Sequence, residues 1–465
     1  MRLGILTSHP IQYQAPWFRG LAKEVDLEVF FCHRPNAQEQ GGAGFGVAFE
    51  WDVDLLSGYP HRFLKNVAAR PGVNRFSGCD TPEIAGIISG KRDAEREKRM
   101  HLTPALSPER RGSGALNSQL STLNSSTRFD AFIVSGWHLK SYWQAVRACR
   151  RAGIPVLVRG DSQLLTPRSW WKRWAKEIVY RGLLRQFDGF LVVGRRNREY
   201  LAHYGVAEEK MFFAPHFVDN EWFGEKAEMA RKQRAEIRKG WGADDETLVV
   251  AFVGKYQAIK RPGDLLEAMR RLQASAGEET GHGARLWSQT QSQHGGIGGR
   301  AAAGALHTTA LQSAGTNCLA VFVGAGELEK DLRAAAATLG VRAHFAGFRN
   351  QSELPAYYAA ADVVVLPSES ETWGLVVNEA MACGTPAIVS DAVGCAPDLI
   401  EEGKTGFVFP VGDASALATQ LDRLVRTRHQ REEQKRILAQ KMTAYSVQAA
   451  VSGTVEAVRI LNKKN

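Results

Sequence analysis

Two carboxylates in the second half of the chain have the spacing and setting of a ligand site. Glu371 and Glu379 stand eight positions apart in DVVVLPSESETWGLVVNEAMACGTPAIVSD, residues 362–391. A buried strand ends at Pro367, a Ser/Glu loop follows, and a helix runs from about Leu375 until Gly384 stops it. Gly374 permits close approach of a ligand, and the free amides of Gly374, Leu375 and Val376 at the positive end of that helix suit a diphosphate. Glu379, one turn in, shares a face with Leu375 and can accept from ribose hydroxyls, while Glu371 in the loop is free to point at a sugar. Taken singly, either glutamate is more often a solvated acid at a helix start.

In the first half, His138 follows directly on the strand FDAFIVSG and so lies at the C-terminal edge of a sheet. Trp137 beside it could stack on a sugar face, although aromatics at such spacing are more often core. Arg159 and Asp161 end the next strand, facing the acceptor side.

The elements that must hold these residues alternate strand and helix. RLGILT, a helix from Tyr13 to Ala22, and LEVFFC open the chain. FDAFIVSG, the helix around SYWQAVRACRRAG, IPVLVRG, a Trp-rich helix from Trp170 to Phe187 and GFLVVG continue the rhythm. It pauses at APHFVDNEWF, passes through a charged helix from Glu225 to Lys239, and resumes with LVVAFVG, CLAVFVG, VRAHFAG and DVVVLPS. This predicts an α/β protein of two doubly wound parallel sheets, an N-terminal domain over 1–220 and a C-terminal domain over 221–445. Two stretches, 91–128 and 276–316, lack the apolar content to offset ordering entropy and are expected to be disordered insertions without chemistry.

Bulk composition is consistent with this reading. A chain of 465 residues with 44% hydrophobic content can bury two cores. It has no apolar run of about 18 residues, and MRLGILTSHP turns polar after one strand, so a cytoplasmic protein is expected. The six cysteines are scattered, without a CxxC pair or neighbouring histidines, which predicts reduced thiols and no metal site. A net charge of +10 admits nucleic acid, an anionic membrane surface or a phosphate ligand. With no nucleic-acid module, and with several arginines in the first insertion, nucleic acid is set aside and the membrane surface stays open.

The Glu371 to Asp391 passage resembles the signature of the retaining glycosyltransferases of family 4, whose two-Rossmann-domain fold is called GT-B. The likeness extends to FVGKYQAIKRP, similar to that family's basic loop, and to VFVGAGE with Gly324, similar to its donor-side glycine loop. GFRNQSELPAYYAAADVVVLPS is similar to its base-binding region, with backbone contacts near Phe348 and Arg349. The resemblance implies two domains facing across a cleft and retention of anomeric configuration. It also implies that Lys255 and Lys260, with Arg261 a close rival for the second role, neutralise the leaving nucleotide diphosphate. The family more often carries arginine at the position of Lys255, which limits bidentate phosphate binding there.

TSHPIQYQAPWFRGLA resembles the opening of one subgroup, putting His9 on the cleft side; a histidine that caps or packs against the first helix is the competing reading. A histidine of this domain often lies near the reacting sugar, a role carried to His138, with the choice between His9 and His138 open. PHFVDNEWF, with Asp219, resembles the inter-domain link, and the last helix, 446–465, is expected to cross back to the first domain. The implied donor is a nucleotide-diphosphate sugar with no metal or other cofactor. The implied acceptor is a glycan or lipid-linked molecule, with peripheral association at the inner membrane face an open option and oligomeric state unread.

Three local patterns are discounted. Asp52 and Asp54 spell a metal-binding DxD but follow no apolar strand, GGAGFG lies in no βαβ unit, and the Asn124 sequon has no meaning in a cytosolic protein. Two rivals remain: a nucleotide-sugar epimerase of the same fold, and a catalytically inactive binding scaffold.

Overall fold

The computed structural model describes residues 1–42, 44, 46–90, 128–166, 169–274, 317–427 and 430–464. The insertions expected at 91–128 and 276–316 therefore lie outside the described residues, Arg128 excepted.

Among the described residues, thirteen strands form two wholly parallel sheets. In the first, β1 (Arg2–Thr7), β2 (Asp26–Phe31), β3 (His61–Phe63), β4 (Ala131–Val134), β5 (Val156–Gly160), β6 (Gly189–Val192) and β7 (Met211–Phe213) lie in the order 3-2-1-4-5-6-7. In the second, β8 (Leu248–Val253), β9 (Cys318–Val323), β10 (Ala343–Gly347), β11 (Val363–Leu366), β12 (Ala387–Ser390) and β13 (Gly406–Phe409) take the order 10-9-8-11-12-13. Strands β8, β9 and β11 are buried at every position, as continuous apolar runs covered on both faces must be. In each sheet the winding reverses at the first strand. Crevices therefore open above β1 and β4, where Leu6 pairs with Val134, and above β8 and β11, where Val250 pairs with Val363.

Two helices differ from expectation. The first begins at Ala15 rather than Tyr13, with Pro16 in its first turn, where a missing N–H costs nothing. The charged helix expected over 225–239 is two helices, Asn220–Arg231 and Arg234–Gly240. The second piece is anchored by Asp362, whose fully buried carboxylate pairs with Arg234 and Arg238, as well as with Arg431. It also accepts from the Val249 amide at 2.8 Å, so these cations hold a buried charge at the foot of β8 and β11.

Asp219 caps the Asn220–Arg231 helix, accepting from the Trp222 amide at 3.1 Å. The helix Val447–Lys464 inserts Ala450, Val451, Val455 and Val458 among Trp17, Phe18 and Leu21, completing one face of the first sheet. All six cysteines are buried free thiols, and no described helix is long and apolar enough to cross a membrane.

Candidate active site

The loops after β8 and β11 are stitched together at the C-terminal edge of the second sheet. Lys260 ends a 3-10 turn, Ala258–Lys260, and its ammonium pairs with the Glu371 carboxylate. The Glu369 amide donates to the Ile259 carbonyl at 2.9 Å, locking the two loops in register. Lys255 lies close by, its pKa lowered first by burial and then by repulsion from Lys260, with Glu371 opposing. Arg261 turns away: its φ of 48° directs the guanidinium onto Asp264, with bonds of 2.7 and 3.0 Å. Of the two candidates for the second cation, only Lys260 reaches Glu371.

Gly374 is the N-cap of the helix Leu375–Ala382 at φ 106°, and a Cβ there would lie 3.0 Å from Leu366 and 3.1 Å from Val393. The first amides of the helix, those of Leu375 and Val376, have no intrahelical acceptor and face the same loop system. Glu379 lies one turn in, buried, and accepts from the Tyr358 hydroxyl at 2.5 Å. Burial pushes its pKa up to about 7, against the pull of hydrogen bonds from Tyr358 and Gln351. It lines a cavity of about 460 Å³ with Gln351 and Ser352 from its own domain and Gln12, Tyr13 and Asp52 from the other. Gly324 plays a packing part: a Cβ would meet the Gly254 carbonyl oxygen at 1.9 Å, so the glycine loop lies directly on the loop that leads to Lys255.

The N-terminal domain supplies the opposite wall. His9 and His33 line an inter-domain cavity of about 780 Å³ together with Trp51 and Lys255. His9 bonds the Ser8 hydroxyl through Nδ1 at 2.9 Å, and burial, with His33 adding, lowers its pKa to about 4, so its ring is neutral. His138 is exposed and packs edge-on against Tyr142 at 5.6 Å, with Asp161 near enough to oppose the lowering of its pKa by desolvation. Asp161 accepts from the Thr372 hydroxyl at 2.8 Å, and Gln163 Nε2 donates to the Glu371 carbonyl at 2.6 Å. The loop carrying Glu371 is thereby held from both domains.

Two expected acceptor-side residues are placed elsewhere. Trp137 packs among Tyr180, Phe187 and Tyr200 with centroids 6.1–6.5 Å apart, because the chain turns its ring into the first domain's core. The Arg159 guanidinium is buried beneath Trp17 and Phe217 and donates to the Pro215 carbonyl at 2.8 Å, so it props the link between domains.

Other contacts could not be read in advance. His216 is buried in the linker with its ring 5.3 Å from Trp373, and Asn378 donates to its carbonyl at 3.4 Å. Burial and the nearby Arg159 drive its pKa well down. Asp52, half of the discounted DxD, accepts from the Ser352 amide at 3.2 Å, and Asn350 donates to the Glu50 carbonyl at 2.7 Å. Phe49 packs on Phe348 at 4.6 Å, so a segment of the first domain lies across the 348–352 segment of the second. Arg349 is paired with Glu353 at 2.9 Å. Asp54 is bound into its own turn by the amides of Leu56 and Ser57 and by the Ser57 hydroxyl, which hold its pKa down to about 2.

Two parallel-sheet domains that enclose a basic, glutamate-bearing cleft define a GT-B protein. Residues 305–441 match the family described as glycosyl transferases group 1, and residues 19–216 match the glycosyl transferase 4-like domain. The chain belongs to this family of group 1 glycosyltransferases.

The sulfoquinovosyl transferase SQD2 of Arabidopsis thaliana is 40% identical over 134 residues, 28% of this chain and 26% of the plant protein. A D-inositol 3-phosphate glycosyltransferase of Stackebrandtia nassauensis is 27% identical over 70% of this chain and 69% of its own length. The chain thus spans about a quarter of the first relative and about two thirds of the second. Among solved structures, Anabaena HepE in complex with UDP superposes with a TM-score of 0.63 at 15% identity, covering 99% of this chain and 100% of that one.

Proposed function

We propose that the chain is a retaining, metal-independent glycosyltransferase that moves a sugar from a nucleotide diphosphate to a glycan or lipid-linked acceptor. The Lys260–Glu371 pair, with Lys255 beside it, carries the reading. The nucleotide occupies the second domain, with its diphosphate over Lys255, Lys260 and the Leu375 and Val376 amides, and its ribose hydroxyls donating to Glu379. HepE, crystallised with UDP, shares the fold and supports a nucleotide as the donor's carrier.

The acceptor hydroxyl attacks the anomeric carbon on the face from which the diphosphate leaves. The new C–O bond forms as the sugar–phosphate bond breaks, and the acceptor's proton passes to the departing phosphate oxygen. Two cations where that negative charge develops lower the barrier by several kcal/mol, on the order of a hundredfold to a thousandfold in rate each. Glu371, held by Lys260 and by Gln163 through its backbone, orients the sugar. His9, neutral and in the same cavity as Lys255, is positioned to contact the acceptor or the sugar, and His138 is its rival from the next loop.

Thermal unfolding with UDP, GDP, ADP and dTDP, with magnesium and with a chelator, tests the donor site. A shift with one nucleotide that survives chelation and disappears in Glu379→Ala supports the reading, and a strictly magnesium-dependent shift contradicts it. NMR of the product then reads the anomeric configuration, where inversion would rule out retention. An isomerised nucleotide sugar formed from donor alone would identify an epimerase instead.

A further inference from the structure

The helix Trp170–Leu184 inverts the usual polarity of a surface helix. Its inner side carries a cation: Lys176 is buried, with its ammonium 4.4, 4.5 and 5.3 Å from the ring centroids of Tyr180, Tyr200 and Tyr204. Its outer side carries the large apolar groups: Trp170 is 81% exposed, Trp174 66%, Ile178 61% and Trp171 54%. At 100° per residue these four fall on one stripe, and the exposed Arg181 and Arg185 fall on the same stripe. The helix sequence WWKRWAKEIVYRGLL carries four cationic residues against one acid. Single exposed hydrophobics need no explanation, but three tryptophans and an isoleucine on one helix face do.

We infer that this face docks on an anionic lipid bilayer. Tryptophan and arginine together fit the headgroup boundary, where an indole buries its body among acyl chains and arginine meets lipid phosphate. Charge complementarity selects a membrane over a second copy of the chain, since two copies of this face would bring its arginines together. Leu164 and Leu165, 46% and 52% exposed, lie between this helix and Gln163, whose amide donates to the Glu371 carbonyl. Exposed apolar side chains thus begin, in sequence, one residue from a side chain that holds the candidate active site, and a membrane beneath this region would bring lipid-linked acceptors toward the cleft. The surface stands independently of the transfer reading, because vesicle binding is measured without substrate.

Flotation of the full-length protein with phosphatidylcholine vesicles, with and without phosphatidylglycerol, is the test. The expected result is binding to the phosphatidylglycerol vesicles that weakens with salt and falls by about tenfold or more in the Trp170→Ser/Trp174→Ser variant. The Arg181→Gln/Arg185→Gln variant loses the preference for anionic lipid, which keeps the test decisive should the tryptophan variant fold poorly. Both variants are expected to keep the wild-type melting temperature and nucleotide shift, so failure of the donor site and failure of the membrane surface are read separately. Wild-type protein that stays with the buffer fraction overturns the inference, as does a tryptophan variant that floats equally well. So does a wild-type dimer in sedimentation that the tryptophan variant abolishes while the vesicles stay bare.

Discussion

Glu379 combines burial with a charge that a ribose would require, and its chemistry should therefore be visible in pH. Its folded pKa, raised to about 7 by burial, exceeds the ordinary 4.5. A group raised in this way contributes stability that is fully present below the unfolded value and lost as pH rises through the folded one. The loss is on the order of 3 kcal/mol for the free protein between about pH 4.5 and 7. Buried His9 works in the opposite direction: its folded pKa of about 4 gives stability present above 6.5 and lost as pH falls. Calorimetry of wild type and Glu379→Gln across this range isolates the glutamate, and the variant should gain on wild type as pH rises from about 4.5 to about 7 and hold that gain above it. A constant difference would mean that the carboxylate already ionises normally. At the basic pair, Lys260→Ala should lower kcat on the order of a hundredfold to a thousandfold. Arg261→Ala, its guanidinium already taken by Asp264, should cost less than about tenfold. Steady-state kinetics of the two variants would show the reverse ranking if Arg261 swings onto the phosphate.

The strand–loop–helix unit from β11 to the Leu375–Ala382 helix shows what one element asks of its sequence. Gly374→Ala forces a φ of 106° on a residue with a Cβ and presses that atom toward Leu366 and Val393. A loss of about 1–3 kcal/mol is expected, with the nucleotide-induced thermal shift lost as the helix start moves. Unfolding in urea reads the first and a melt with nucleotide the second; a variant with wild-type stability and an intact shift would deny Gly374 its role. This unit was legible in advance because its signals are local: an apolar run, a glycine and a periodic helix. The reach of Lys260 to Glu371 was not legible: the family likeness singled out both residues but not their pairing, since 111 residues separate them. Trp137 and Arg159 were misread for a related reason. Each lies next to a cleft-edge strand end, but side-chain direction there depends on what packs behind, Tyr200 for one and Phe217 for the other. The pairing of the second piece with Asp362 was likewise hidden, because 128 residues separate Arg234 from it.

At the scale of the whole molecule two of the contacts between the domains, among the described residues, differ in their physics. One contact is a buried wedge near the linker, where Trp373 packs against His216 and Arg195 donates its amide to Asp398 at 3.0 Å. The other, farther from the linker in sequence, is the strap from Phe49 to Asp52 lying on Phe348 to Ser352, where a ring pair and exposed hydrogen bonds join the two segments. Exposed polar contacts of this kind contribute little to stability, so the strap can release while the wedge holds, as entry of a nucleotide requires. Glu379 and Asp52 line the same cavity, which puts the strap beside the end of the cleft where the nucleotide is proposed to bind. Phe49→Ser with Asp52→Ala should therefore leave the melting temperature of the free protein within about 2 °C of wild type, since neither group is a core residue. The same variant should raise the donor KM by about tenfold with a smaller change in kcat, because closure over the bound nucleotide is weakened while the charged groups at the reacting centre are untouched. Small-angle scattering completes the test: nucleotide should contract the wild type and contract the variant less. An unchanged KM together with wild-type contraction would mean that the wedge alone sets the closed arrangement, with the strap merely resting on it.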